Sequence, residues 1–151
     1  MAMAKTTLRL DAFLPFRLSV ASNAVSRLIA RAYETRYGLK VAEWRLIAVL
    51  AETEGLTQQA IVERTVMDKV TVSRAVQGLM ERRLAQRAPH PKDARSHLVS
   101  LTAEGKALHA EVAPIALATE RRLIEGLSAD EVAELERLLV WVERRSEELT
   151  E

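Results

Sequence analysis

The spacing of apolar residues in this 151-residue chain changes immediately after Arg83. Before that point they recur every three or four positions, as on one face of a helix. After it come two extended segments, residues 84–87 and 96–102, in which Val99 and Leu101 alternate with polar neighbours. The intervening residues 89–94 are rich in turn formers. One β-hairpin therefore interrupts a chain that is otherwise predicted to be helical.

Two helices are predicted first. An apolar seam with steps of four and three residues predicts a long helix over residues 13–37, and such a seam needs a partner helix, from this chain or from a second copy. Its members are Leu14, Leu18, Ala21, Val25, Leu28 and Ala32. Eight of the twelve residues 42–53 are apolar, which predicts a second, largely buried helix.

A short helix, a tight break and a further helix come next, before the hairpin. Thr57 is expected to cap the short helix, which ends at Arg64, and Asp68 to cap the helix over residues 69–83. That second helix has a predicted buried stripe of Val72, Ala75, Val76 and Leu79. This order of elements is the layout of a winged helix-turn-helix.

Two helices are predicted after the hairpin. Thr102 caps the first, which runs to about residue 125 with a kink expected at Pro114. Ser128 and Glu131 form a capping box for the last helix. The apolar stripe of that helix comprises Val132, Leu135, Leu138, Leu139 and Val142.

Charge is segregated along the chain, although its net value is only +1. Residues 64–95 carry eight basic and three acidic groups, whereas residues 120–151 carry five basic and ten acidic groups. A basic segment of this kind suits a polyanion-binding face, and an ordinary solvated surface would give the same counts.

The predicted helix that follows Asp68 exposes a polar face suited to DNA. Val70, Arg74 and Gln77 lie opposite the buried stripe, with Thr71 at the edge, where side chains can read base edges in a major groove. Lys69 and Ser73 are placed to contact phosphates. A solvated amphipathic helix is the alternative.

The hairpin strengthens the DNA-binding interpretation. Arg87, Lys92 and Arg95 lie on or beside a narrow loop that can carry an arginine into the minor groove. Asp93 is interpreted as a structural residue that holds the loop in shape by pairing with a neighbouring arginine.

Catalysis, metal binding and membrane insertion find little support. The chain has no cysteine, which excludes disulfides, thiolate zinc sites and thiol chemistry. Ser96 and His97 point to opposite faces of a strand, so they are not placed to form a catalytic triad with Asp93. The three histidines are too scattered in the sequence for a zinc site. The longest apolar run, residues 46–51, is too short for a membrane span, and residues 1–11 lack a signal core. We therefore expect a cytoplasmic protein that is not an enzyme and has no cofactor or metal.

Three motifs together resemble the MarR family of bacterial regulators: Asp68-Lys69-Val70-Thr71-Val72-Ser73-Arg74, Asp93-Ala94-Arg95, and the eight residues from Leu98 to Gly105. The resemblance covers essentially the whole chain. This chain departs from the family pattern at two positions. It has Val66 where the family commonly has glycine, and Ala94 where the family often has a basic residue.

The resemblance implies a mainly α fold in one domain, residues 1–151. A winged helix-turn-helix lobe (41–102) would lie between dimerisation helices (1–40 and 103–151), with Leu14, Leu18, Leu135, Leu139 and Val142 in the dimer contact. It also implies a homodimeric repressor that binds double-stranded DNA at an inverted repeat. A small effector, such as an aromatic acid or a phenolic compound, would release it.

The effector pocket that the resemblance implies lies where the dimerisation helices meet the DNA-binding lobe, which brings in Phe16, Arg17 and Trp44. An aromatic ring can stack on Phe16 or Trp44, with its carboxylate on Arg17. The alternative is that the two aromatic residues are core and Arg17 is a surface cation. For the whole protein, the rival function is a helical protein-interaction adaptor without DNA binding, which leaves the basic hairpin unexplained.

Overall fold

The computed structural model describes residues 7–151, so the first six residues of the expected dimerisation segment 1–40 lie outside it. A 3₁₀ turn at Leu10–Ala12 leads into the helices and strands, in the order α1 (Leu14–Ala30), α2 (Glu34–Tyr37), α3 (Val41–Glu52), α4 (Gln58–Thr65), α5 (Lys69–Glu81), β1 (Ala85–His90), β2 (Asp93–Leu101), α6 (Ala103–Leu123) and α7 (Ala129–Glu148). The mainly helical fold with one hairpin is confirmed.

Of the described residues, 7–116 form one compact unit whose core lies among α3, α4, α5 and β2. The predicted stripe of α5 is fully buried there. It packs with Leu46, Ile47 and Leu50 of α3, Ile61 of α4, and Val99 and Leu101 of β2. Gly105 and Val112 bury one side of α6 in the same unit. This core holds α5 and the hairpin in place, so both can present polar surfaces.

The prediction of one helix over residues 13–37 is wrong. The helix stops at Ala30, where the N–H groups of Ala32 and Tyr33 donate to carbonyls three residues back, at 3.0 Å each, and the chain turns. The turn buries the Tyr33 ring and allows Leu39 to enter the core. Tertiary burial therefore overrides the local helical pattern.

The hairpin is longer, and its turn tighter, than predicted. The strands pair antiparallel from Ala85 with Leu101 to Pro89 with His97, and then His90 pairs with Asp93. Residues 89–90 and 93–94 therefore belong to strands, and only residues 91–92 form the turn. Because one step along β1 matches four steps along β2, residues 94–96 bulge out of the ladder. Bulges of this kind redirect side chains.

Residues 117–151 form a second compact unit, which holds the end of α6 and all of α7. Gly126 adopts a left-handed conformation (φ +96°) between these helices. The Ser128 Oγ then accepts the Glu131 N–H at 3.1 Å and caps α7, as predicted. The reciprocal bond from the Ser128 N–H to the Glu131 side chain, which the predicted capping box requires, is not formed in the described chain. The apolar stripe of α7 is exposed in the single chain at Leu135, Leu138 and Leu139.

Candidate nucleic-acid interface

Asp68 begins α5 as an N-cap that bonds the same residue twice. Its Oδ1 accepts the Thr71 N–H at 2.8 Å, and its Oδ2 accepts the Thr71 hydroxyl at 2.7 Å. The bond from the Thr71 N–H, followed by that from its hydroxyl, lowers the pKa of Asp68. The cap therefore fixes the first turn of α5, and it commits the Thr71 hydroxyl proton to Asp68 rather than to a ligand.

The outward face of α5 carries the predicted side chains. Val70, Ser73, Arg74 and Gln77 are exposed, and Thr71 is half-buried at the edge, as the helical period predicts. The Gln77 amide donates to Glu81 Oε1 at 3.2 Å, which restrains it along the helix. Within residues 7–151, Arg74 makes no side-chain hydrogen bond or ion pair, and its guanidinium is available to a partner.

The tip of the hairpin is shaped by bonds from side chains to the backbone. Asp93 Oδ1 accepts the Arg95 N–H at 3.0 Å, and His90 Nδ1 accepts the Lys92 N–H at 3.0 Å. Asp93 thus contacts the backbone of Arg95 and not a guanidinium, which differs from the ion pair we expected. Arg95 lies in the centre of the bulge, and its exposed guanidinium has no partner in the described chain.

The base of the hairpin is tied to the region where α4 begins. The Leu56 N–H donates to the Val99 carbonyl at 2.9 Å, and the Val99 N–H donates back at 2.7 Å. The Arg87 guanidinium donates to Gln58 Oε1 at 3.2 Å. A polar cleft of about 520 Å³ lies beside this contact and is lined by Gln58, Arg87, Arg95 and other residues of the hairpin. Nothing in the sequence pattern singled out Gln58, because the contact joins residues 29 positions apart.

Two cations of the basic segment have structural partners instead. Arg82 donates to the carbonyls of Tyr37 (2.7 Å) and Gly38 (3.2 Å), where α2 ends. Arg64 pairs with Glu52 at 3.0 Å and donates to Thr53 at 2.6 Å. Charge counting could not separate these from Lys69, Arg74, Lys92 and Arg95, whose charged groups make no hydrogen bond or ion pair within residues 7–151.

The predicted effector residues are not brought together in the single chain. Trp44 stacks between Tyr33 and His109, with ring centroids 5.7 Å from each. Burial raises the pKa of Tyr33. Phe16 and Arg17 are exposed in the first turns of α1. Among the described residues, no hydrogen bond, ion pair or ring contact joins either of them to Trp44.

The predicted dimer contacts lie on α1 and α7. Leu14 is exposed and Leu18 half-buried on α1. On α7, Leu135 and Leu139 are 47% and 43% exposed, and Val142 is half-buried. Each helix therefore has an apolar surface that a second chain can cover.

Within residues 7–151 the structure shows neither a metal-binding group of side chains nor a membrane-spanning helix. No group of histidine and acidic side chains in that range is placed to hold a metal ion. No helix in the same range is both long and apolar enough to cross a bilayer.

Known proteins share this fold and this arrangement of elements. A model of the MarR family matches residues 37–96. The transcriptional regulator HosA of Escherichia coli O111:H- is 29% identical over 89 residues, which are 59% of this chain and 66% of HosA, just under two thirds of that regulator. A crystal structure of a probable transcriptional regulator from Pseudomonas aeruginosa is 32% identical and has a TM-score of 0.78, with 89% of this chain and 99% of that chain covered. A mutant of E. coli MarR, solved in complex with operator DNA, is 25% identical with a TM-score of 0.79, and the match covers 85% of this chain and 92% of that chain.

Proposed function

Because the chain belongs to the MarR family of transcriptional regulators, we propose that it is a homodimeric repressor that binds an inverted-repeat operator and is released by a small molecule. Each protomer inserts α5 into a major groove, and the two copies of α5 lie about one helical turn of DNA apart. The single domain of residues 1–151 comprises the lobe 41–102 and the dimerisation segments 1–40 and 103–151.

The observation that carries this proposal is that α5 and the hairpin, which pack on the same core, each expose an arginine without an intramolecular partner among the described residues. Arg74 projects from the capped helix α5, and Arg95 projects from the bulge of the hairpin. Arginine is suited to base edges in the major groove and to the narrow, strongly negative minor groove. The E. coli MarR complex with operator DNA supports DNA as the partner.

The dimer is supported by the apolar surfaces of α1 and α7. Several leucines of α7 are nearly half exposed, and exposed apolar surface is unfavourable in water. A second copy of the chain that covers these leucines would remove this cost. A twofold dimer presents two identical reading elements, which accounts for an inverted-repeat operator.

The effector is proposed to be an aromatic acid or a phenolic compound. Phe16 and Arg17 are exposed, so they are free to contact a ring and a carboxylate. Trp44 is half-buried, and a ligand ring that stacks on it would have to displace Tyr33 or His109. Such a ligand releases DNA only if it binds more tightly to a conformation whose half-site spacing does not match the operator.

Duplex binding measured over a series of salt concentrations tests DNA recognition. For operator candidates selected from random duplexes, the logarithm of the association constant should fall linearly with the logarithm of the salt concentration. The slope is set by the number of phosphates that the protein neutralises. Arg95→Ala should weaken binding, whereas Arg36→Ala, an exposed cation outside residues 64–95, should not. A folded protein that binds no duplex at low salt would refute the proposal and leave the adaptor function.

Release is tested by titrating aromatic acids and phenols into a preformed operator complex. A compound that binds the free protein and also dissociates the complex supports the mechanism. Arg17→Ala should then raise the concentration needed for carboxylated compounds more than that for phenols. If every compound that binds the free protein leaves the complex intact, regulation by effector release is refuted.

A further inference from the structure

Val70 is an apolar side chain on the outward face of α5. It occupies the second position after the Asp68 cap, and it is 59% exposed. Its neighbours on this face are a lysine, a serine and an arginine. The buried stripe starts two residues later at Val72, about 200° further round the helix, so Val70 adds nothing to the core.

We propose that Val70 reads the 5-methyl group of a thymine in each operator half-site, an inference that rests on the proposed DNA-binding function. The first turn of a recognition helix is the part that reaches base edges. A valine has no donor or acceptor there, so it can favour a base only by apolar contact. The thymine methyl is the apolar group that the four ordinary base pairs offer in the major groove.

Two features of α5 suit Val70 to this contact. Its β-branched side chain has one strongly preferred rotamer in a helix, so little freedom is lost when it docks. The adjacent Thr71 hydroxyl donates to Asp68 at 2.7 Å, so it does not compete with Val70 for a base edge. The exposed side chains around Val70 on this turn, Lys69, Ser73 and Arg74, make no intramolecular bond among the described residues. The expected half-site thus combines a thymine with a base that Arg74 can bond.

The test uses duplexes selected with the full chain, in which each thymine is replaced in turn by deoxyuridine. This replacement removes the methyl group and keeps every hydrogen-bonding atom. At one symmetric pair of positions we expect about a fourfold loss of affinity per half-site, which corresponds to about 0.8 kcal/mol at 1.4 kcal/mol per tenfold change. The other thymine positions should show no comparable loss.

Val70→Ala should bind the thymine duplex more weakly and bind the thymine and uracil duplexes equally, because the contact is gone. Val66→Ala is the matched control, since it removes the same two methyl groups from another exposed valine and should preserve the thymine preference. Lys69→Ala should weaken both duplexes by the same factor.

Three outcomes overturn the inference. They are tolerance of uracil at every position, a preference for thymine that survives in Val70→Ala, and loss of that preference in Val66→Ala. In each case salt-dependent binding of the selected duplex would leave the proposed function standing. Failure to select any duplex would instead remove the proposed function, and the inference with it.

Discussion

The carboxylate of Glu43 lies where a side chain at Gly78 would begin. A Cβ placed on Gly78 would be 2.9 Å from Glu43 Oε2, closer than real Cβ contacts occur. Glu43 is buried, and its Oε1 accepts the Lys40 N–H at 3.0 Å, so the carboxylate serves as a cap for α3. The close approach of α3 and α5 is thus joined to the capping of α3.

Gly78→Ala should therefore give little or no gain in stability. Alanine favours a helix over glycine by about 1 kcal/mol, but the displaced carboxylate would lose a hydrogen bond worth about 1 kcal/mol. In a Glu43→Ala background the same substitution should stabilise by about 1 kcal/mol. Denaturant unfolding of the four proteins measures the coupling. Equal effects of Gly78→Ala in both backgrounds would contradict this account.

Gly105→Ala should be more damaging, because its obstacle is backbone. A Cβ on Gly105 would overlap the carbonyl oxygen of Leu84, which accepts the Thr102 N–H at 3.1 Å. Moving this carbonyl disturbs the start of α6 and the approach to β1. We expect a loss of about 1–3 kcal/mol in the free energy of unfolding, as for other overpacked sites. A thermal midpoint unchanged from that of the natural chain would show that the backbone yields freely.

Arg74→Ala and Arg82→Ala should separate DNA affinity from stability. Arg74 has no partner within residues 7–151, so its loss should weaken operator binding by about 1–3 kcal/mol and leave the unfolding midpoint unchanged. Arg82 bonds two carbonyls where α2 ends, so its loss should cost about 1 kcal/mol of stability. Binding and unfolding curves for both variants check the contrast, and it would be reversed if Arg82→Ala alone impaired binding.

Acid should weaken the cap of α5. Bonds from Thr71 lower the pKa of Asp68 below 3.8, so the folded state favours the carboxylate. The resulting stability is fully present above about pH 4 and is lost as the pH falls through the lower, folded pKa. Asp68→Asn keeps an acceptor but does not titrate. The difference in thermal midpoint between natural chain and variant should therefore shrink from about pH 6 to about pH 2.5, and a constant difference would count against the cap.

Val66→Gly should stabilise the chain by about 0.5–1 kcal/mol, because a β-branched residue is strained at a φ of +55° and glycine is not. The Val66 side chain is 90% exposed, so its removal sacrifices little burial. Val66→Ala keeps the Cβ that causes the strain and should bring no such gain. Equilibrium unfolding of the three proteins decides between strain relief and the greater freedom of glycine when unfolded.

The helix-turn-helix could be predicted from the sequence because it depends on interactions between residues close together in the chain. Asp68 and the stripe from Val72 to Leu79 lie within one helix, and both appear as the spacing predicts. The stop at Ala30 was not visible, since it depends on the burial of Tyr33 against Trp44. The bulge that carries Arg95 arises from pairing across the hairpin, which residue alternation does not register. Likewise, only the fold brings Arg82 to carbonyls 44 and 45 residues away.

The two-way bond between Leu56 and Val99 has a mechanical consequence for any regulation of this chain. These two hydrogen bonds fix the hairpin to the segment that leads into α4, and the hydrogen bond from Arg87 to Gln58 adds a second attachment. The hairpin thus cannot tilt independently of the helix pair without breaking these hydrogen bonds. If a small molecule releases DNA as proposed above, it would have to move α5 and the hairpin together as one rigid body about hinges elsewhere. Fluorophores placed on these two elements should then keep a constant separation while the distance between protomers changes.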